Sequence, residues 1–254
     1  MGNFKAVMAA GTLALFAVSY PGFAQEARQQ QGSEQEAQQT VVEEDNYVRL
    51  LGAIQSDKVL SAAADSAILA MMRLVLNDVP ELAEIARSST ELQGDFIARF
   101  HPLFLDHIMH GQVLILPRQI AILQDAMTAE ESGRLADFYS TDLGQRLLLS
   151  TIQNLSYDHI VANESLDDPI TQEDYSADIN QAAKRTAQDF EPTLADRKAL
   201  LRLAADPAFT KFNNAQAELQ ALNVENENRP LPPETEAKIA EIFLSILDDY
   251  TPEM

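Results

Sequence analysis

The chain has 254 residues, no cysteine, and 39 acidic against 18 basic residues, for a formal net charge of −21. Without thiols there are no disulfides, no thiolate metal sites and no lipid anchor on cysteine. The charge excludes nucleic acid and anionic membrane surfaces as partners, since the densest cationic spot, Arg197, Lys198 and Arg202, is interleaved with Glu191, Asp196 and Asp206.

Glycine and proline are few for the length, and no run of β-branched alternation stands out, so the composition predicts an all-α protein. Lys5, the apolar run from Ala6 to Val18 and the small residues before Ala24 form a signal peptide over 1–24, too short for a membrane span of about twenty residues. The mature chain is therefore expected to be soluble and periplasmic or secreted, with no stable membrane insertion. Residues 25–45 are rich in Gln and Glu and predict a disordered spacer. Two helical units are expected after it, over 46–165 and 166–254.

In the first unit, apolar residues recur at helical spacing from Tyr47 to Val79, and Pro80 opens a short helix to Ala86. The next helix starts at Glu91 and carries Leu92, Phe96, Phe100, Leu103, Phe104 and Ile108 on one stripe, which marks it as central to the core. Pro117 is expected to kink or end it, with Arg118 to Ala126 continuing beyond.

Two helix starts then fall within a few residues. Thr128 and Glu131 have the spacing of a capping box, in which hydroxyl and carboxylate each satisfy a free amide of the first turn. Thr141 can cap a second helix beginning at Asp142, whose charge suits the positive end of the helix. Phe138 and Tyr139 read as core packing, and Gly144 as the place where the preceding helix approaches closely. The run Phe138-Tyr139-Ser140-Thr141-Asp142-Leu143-Gly144-Gln145-Arg146-Leu147 resembles the central motif of the bacterial family called domain of unknown function 2059. That pattern has Ser where Thr141 stands and Pro where Asp142 stands, and both replacements still suit a helix start. The resemblance implies an exported all-α protein and carries no catalytic residue.

The second motif helix is expected to run to about Asn163, followed by an acidic connection over 164–178 and a weaker helix to Phe190. At a shift of 65 residues the helix-start pattern returns: Thr193 and Asp196 fall on Thr128 and Glu131, Asp206 on Thr141, Pro207 on Asp142, and Lys211 on Arg146. This is either a repeated unit, in which case two similar tight helical hairpins stack into a bundle, or a recurrence of helix-start grammar. Asn223 to Pro233 reads as a loop, and Thr235 to Tyr250 as an amphipathic helix that docks on the core or forms a homodimer.

Chemistry is sparse. His107, His110 and Asp106 share a helix face at about 100° per residue, while His101 points elsewhere, so those three are the candidate metal ligands. Their spacing matches no recognised metal motif, and an Asp106 to His110 pair on a solvated face is the expected arrangement. No nucleophile elbow, phosphate loop or EF-hand spacing occurs, so neither catalytic residues nor a cofactor are expected. The leading expectation is a non-catalytic binding or cell-envelope protein whose partner is a protein or a small apolar ligand. The alternative is a periplasmic hydrolase or metal-dependent enzyme using His107, His110, Asp106 or Tyr139 from separate helices.

Overall fold

The computed structural model describes residues 40–78, 80–88, 91–162 and 169–250, and among them every regular element is a helix. In chain order these are α1 (Thr40–Ile54), α2 (Asp57–Asp78), α3 (Pro80–Ser88), α4 (Glu91–Ala126), α5 (Ala129–Tyr139), α6 (Asp142–Gln153), α7 (Asp158–Ala162), α8 (Gln172–Asp189), α9 (Leu194–Ala205), α10 (Pro207–Glu227) and α11 (Pro233–Tyr250). The signal peptide expected over 1–24 and most of the spacer lie outside the described residues. The last six residues of the expected spacer belong to α1, because adding a turn to an already nucleated helix costs little.

Helix α4 is the axis of the fold. Its buried stripe of Leu92, Phe96, Phe100, Phe104 and Ile108 faces α2, and α10 and α11 pack against it as well. The Phe96 and Phe100 rings lie 5.3 Å apart, and Phe100 meets Phe104 edge-on at 6.2 Å, geometries that add attraction beyond burial alone. The helix runs unbroken through Pro102 and Pro117, against the expectation that Pro117 would end it. Each proline removes one ladder bond, but buried Ile115, Gln119 and Leu123 continue the inward face past Pro117 and hold the axis. Helix α2 is long and apolar enough to cross a membrane by length and composition, yet Ala63, Ala64, Ala67, Ile68 and Met71 are buried in the core. Its run of alanines lets α4 and α6 approach on two sides. Buried residues from both expected units belong to this one core.

Three boundaries differ from the sequence reading. Helix α6 stops at Gln153, ten residues early, at a loop in which Tyr157 takes a left-handed φ of 55° with its ring fully buried. The loop is fixed from outside: the buried Asp178 carboxylate accepts from the amides of His159 (3.0 Å) and Ile160 (3.1 Å) and from the His159 ring (2.7 Å). Helix α8 starts at Gln172, inside the expected acidic connection, because the Thr171 hydroxyl accepts from the Asp174 amide at 3.1 Å. Helix α10 extends to Glu227, since Asn223, Asn226 and Glu227 are buried rather than part of a solvated loop.

Candidate functional site

The turn between α5 and α6 is built from the motif residues. Thr128 caps α5 with both halves of a capping box: its amide donates to the Glu131 carboxylate at 2.9 Å, and the Glu131 amide donates to its hydroxyl at 3.3 Å. Thr141 sits in extended backbone and caps α6, accepting from the Gly144 amide at 3.1 Å while donating to the Phe138 carbonyl at 2.6 Å. Asp142 is in the first turn of α6 and accepts from Arg146 at 2.9 Å. At Gly144 an added Cβ would stand 2.4 Å from the Phe138 carbonyl oxygen and 2.7 Å from Tyr139 Cα, so only glycine lets the two helices abut. The Tyr139 ring is fully buried against Phe138 and Phe212, its hydroxyl has no hydrogen-bond partner, and burial pushes its pKa far up.

Helix α1 lies along α5 and closes its outer face. Tyr47 donates to the Met127 carbonyl (2.8 Å), Ser132 donates to the Asn46 carbonyl (3.2 Å), and Arg49 pairs with Asp137 at 2.7 Å.

The second pair of helices starts by the same local chemistry. Thr193 and Asp196 form a capping box on α9, and Asp206 caps α10 through the Ala208 amide at 2.9 Å, ahead of Pro207. Charged side chains tie the two pairs together. Lys211 of α10 donates to Glu131 of the first box at 2.7 Å, and Arg146 of α6 donates to Asp196 of the second at 3.1 Å. Arg134 adds a forked contact to Asp206 at 3.0 and 3.1 Å. Burial opposes the Glu131 charge, but Lys211 and the Thr128 amide outweigh it and hold the carboxyl below its usual range. The Thr193 amide and Arg146 do the same for Asp196, and Arg134 for Asp206.

The candidate metal ligands lie apart from this assembly. His107 comes within 3.6 Å of the buried Glu227 carboxylate, while Asp106 and His110 are exposed. His101 contacts Asp65 at 2.8 Å. Among the described residues no three His, Cys, Asp or Glu side chains could hold a metal ion, and the Tyr139 ring packs against Phe138 and Phe212.

The concave surface with the clearest chemical character lies beside α9. It is an apolar groove of about 340 Å³ between α6, α8, α9 and α10, lined by Leu147, Phe190, Leu200, Leu201, Ala204 and Phe209 among others, with Arg197 on it. Helix α9 is thinly attached: only Leu203 among its residues is buried, whereas Leu194 is 77% and Leu201 59% exposed. Arg146 also lies over the Phe190 ring, 5.6 Å from its centre. A second, more polar cavity of about 500 Å³ borders the Tyr157 loop, where Arg73 and Arg185 both reach Asp158.

The groove was not named from the sequence. Its available signal was the leucines of α9, of which Leu200, Leu201 and Leu203 line the groove while Leu194 lies exposed one turn before Arg197. No curated protein and no solved structure matches the chain. Residues 115–153, which span the end of α4 and all of α5 and α6, match the bacterial family described as "Uncharacterized protein conserved in bacteria (DUF2059)", the family whose motif these residues resemble.

Proposed function

We propose that this chain is an exported, non-catalytic binding protein that receives an apolar guest in the groove beside α9. The observation that carries the reading is the groove itself, an apolar concavity with an exposed leucine at its edge and a single cation on its lining. Pockets of this kind recognise shape and apolar surface and use few polar groups for orientation. The residues nominated for hydrolysis or metal chemistry do not converge, so they add nothing to the enzyme reading. Export rests on the leader-like residues 1–24 of the sequence, and the strong acidity is the solvating surface of a protein that works outside the cytoplasm.

The test is binding of the neutral fluorophore N-phenyl-1-naphthylamine to the full chain. Ala187 lines the groove and is itself exposed, so Ala187→Trp fills the mouth without entering the core. Saturable fluorescence enhancement in the native protein, weakened at least tenfold in Ala187→Trp at unchanged helicity, supports the reading. Absence of enhancement, or equal enhancement in both proteins, refutes it.

A further inference from the structure

Two groove residues, Pro192 and Arg197, correspond at a shift of 65 to Met127 and Ser132, which α1 contacts on the first pair of helices. At the 65-residue shift, Glu131 and Arg146 of the first pair correspond to Asp196 and Lys211 of the second. Two of the three ion pairs that cross between the pairs, Glu131 with Lys211 and Asp196 with Arg146, exchange with each other when the copies are swapped, while the third, Arg134 with Asp206, maps onto Ala199 and Thr141 and has no counterpart. Reciprocity of that kind is what an approximate two-fold axis produces, as in an isologous dimer interface. Under the same correspondence the α5 residues covered by α1 or buried beneath it map onto α9 residues that face the groove or solvent. Ser132 becomes Arg197, Leu135 becomes Leu200, Ala136 becomes Leu201, and Tyr139 becomes Ala204. Ala136 is 1% exposed where Leu201 is 59%, and Ala129 is 9% exposed where Leu194 is 77%. The large Tyr139 ring, which packs on Phe212, is matched by small Ala204 beside Leu147, and the difference in volume lies in the groove.

We infer that α9 is a docking face for an amphipathic helix of a partner protein whose polar edge is acidic, seated there as α1 is seated on α5. The inference rests on the groove-binding reading and names its guest. Leu194 and Leu201 are about 10 Å apart along the axis, the span a helix covers with residues at i and i+7. The polar edge follows from charge. Where α5 presents Ser132, Gly133 and Asp137, α9 presents Arg197, Lys198 and Arg202. Two neighbouring acids, Asp196 and Asp206, are already paired with Arg146 and Arg134, which leaves Asp189 and Glu191 against three cations. On α5, Asp137 meets Arg49 of α1; an arginine in that place on the guest would meet Arg202, so a second copy's α1 is the wrong occupant. A carboxylate there would match.

The experiment uses the full chain and two fluorescein-labelled fifteen-residue peptides with leucines at i, i+3, i+4 and i+7, one carrying glutamates elsewhere and the other lysines. Anisotropy titrations should show the acidic peptide binding at least tenfold more tightly, displacing N-phenyl-1-naphthylamine as it does so. Leu201→Asp, a change at an exposed position, should weaken it at least tenfold, and the triple variant Arg197→Glu, Lys198→Glu, Arg202→Glu should reverse the preference to the lysine peptide. If the dye binds but neither peptide displaces it, or both bind equally, the helix inference falls and the apolar-groove reading stands. If the dye itself does not bind, the groove reading falls. Sedimentation showing a native dimer that Leu201→Asp converts to monomer assigns the face to a second copy and overturns the inference.

Discussion

Replacing Gly144 by alanine tests the packing of the motif turn with one carbon atom. The new Cβ would lie 2.4 Å from the Phe138 carbonyl oxygen, 2.7 Å from Tyr139 Cα and 3.0 Å from the Tyr139 carbonyl carbon, all of them backbone atoms that cannot rotate aside. Relief requires α5 and α6 to separate, which disturbs the Thr141 cap and the Gln145 side chain, whose amide donates to the Tyr139 carbonyl at 2.6 Å and the Ala53 carbonyl at 2.8 Å. Overpacking of this kind costs about 3 kcal/mol, while alanine regains about 1 kcal/mol over glycine in a helix, so the expected loss is about 2 kcal/mol. For a domain of this size that is a fall in Tm of about 4 to 8 °C. Gly94 in α4 has nothing within 4 Å of an added Cβ, so Gly94→Ala supplies the internal control and should gain about 1 kcal/mol. Thermal melts followed by far-ultraviolet circular dichroism measure both. A Gly144→Ala protein that melts at or above the native temperature refutes the close-approach argument.

The capping residues should act alike in both pairs of helices: Thr128→Ala and Thr193→Ala each lose about 1 kcal/mol in urea unfolding, and no loss in either would mean that its box is ornamental. Tyr139→Phe removes a buried hydroxyl without a hydrogen-bond partner, so it should be neutral or stabilising by about 1 kcal/mol; a clear loss of stability would show that the hydroxyl is bonded in solution. The carboxyls of Glu131, Asp196 and Asp206 all have folded pKa values below their unfolded ones. Their stabilisation is complete above the unfolded value of about 4 and is lost as pH falls through the folded value. The variant Glu131→Gln, Asp196→Asn, Asp206→Asn should therefore lose stability less steeply than the native chain between pH 5 and 2, and parallel curves from urea melts would refute the assignment.

What the sequence made readable was local. Thr128, Thr141 and Thr193 each satisfy the amide three residues ahead, so their role is written within a span that no distant contact can overrule. Thr171 has the same grammar with Asp174, but it lies beside a run of acids that looked like solvated connection, and composition hid the cap. Errors of the other kind came from long-range packing. Pro117 fails to end α4 because buried residues on both sides of it hold the axis, and Asn223 to Glu227 stay helical because the inside of the protein receives polar side chains there. His107 answers to Glu227, 120 positions away, and no periodicity points to that partner.

The groove belongs to a third kind, since a concavity is made by what a neighbour fails to fill. Leucines at 194 and 201 would suit a buried helix face, but in this chain no segment corresponding to α1 covers them among the described residues. Helix α9 is held instead by Leu203, by partly buried Leu200, by the Arg146 to Asp196 contact, and by Arg134 on its capping neighbour Asp206. Exposed ion pairs of this kind contribute about 0 to 1 kcal/mol each, whereas fully burying one leucine contributes about 1.5 to 3 kcal/mol. The apolar area left bare on Leu194 and Leu201 is therefore worth at least as much as those two ion pairs. A guest covering Leu194 and Leu201 would add to the little apolar surface that α9 buries, and binding would stabilise the helix by linkage.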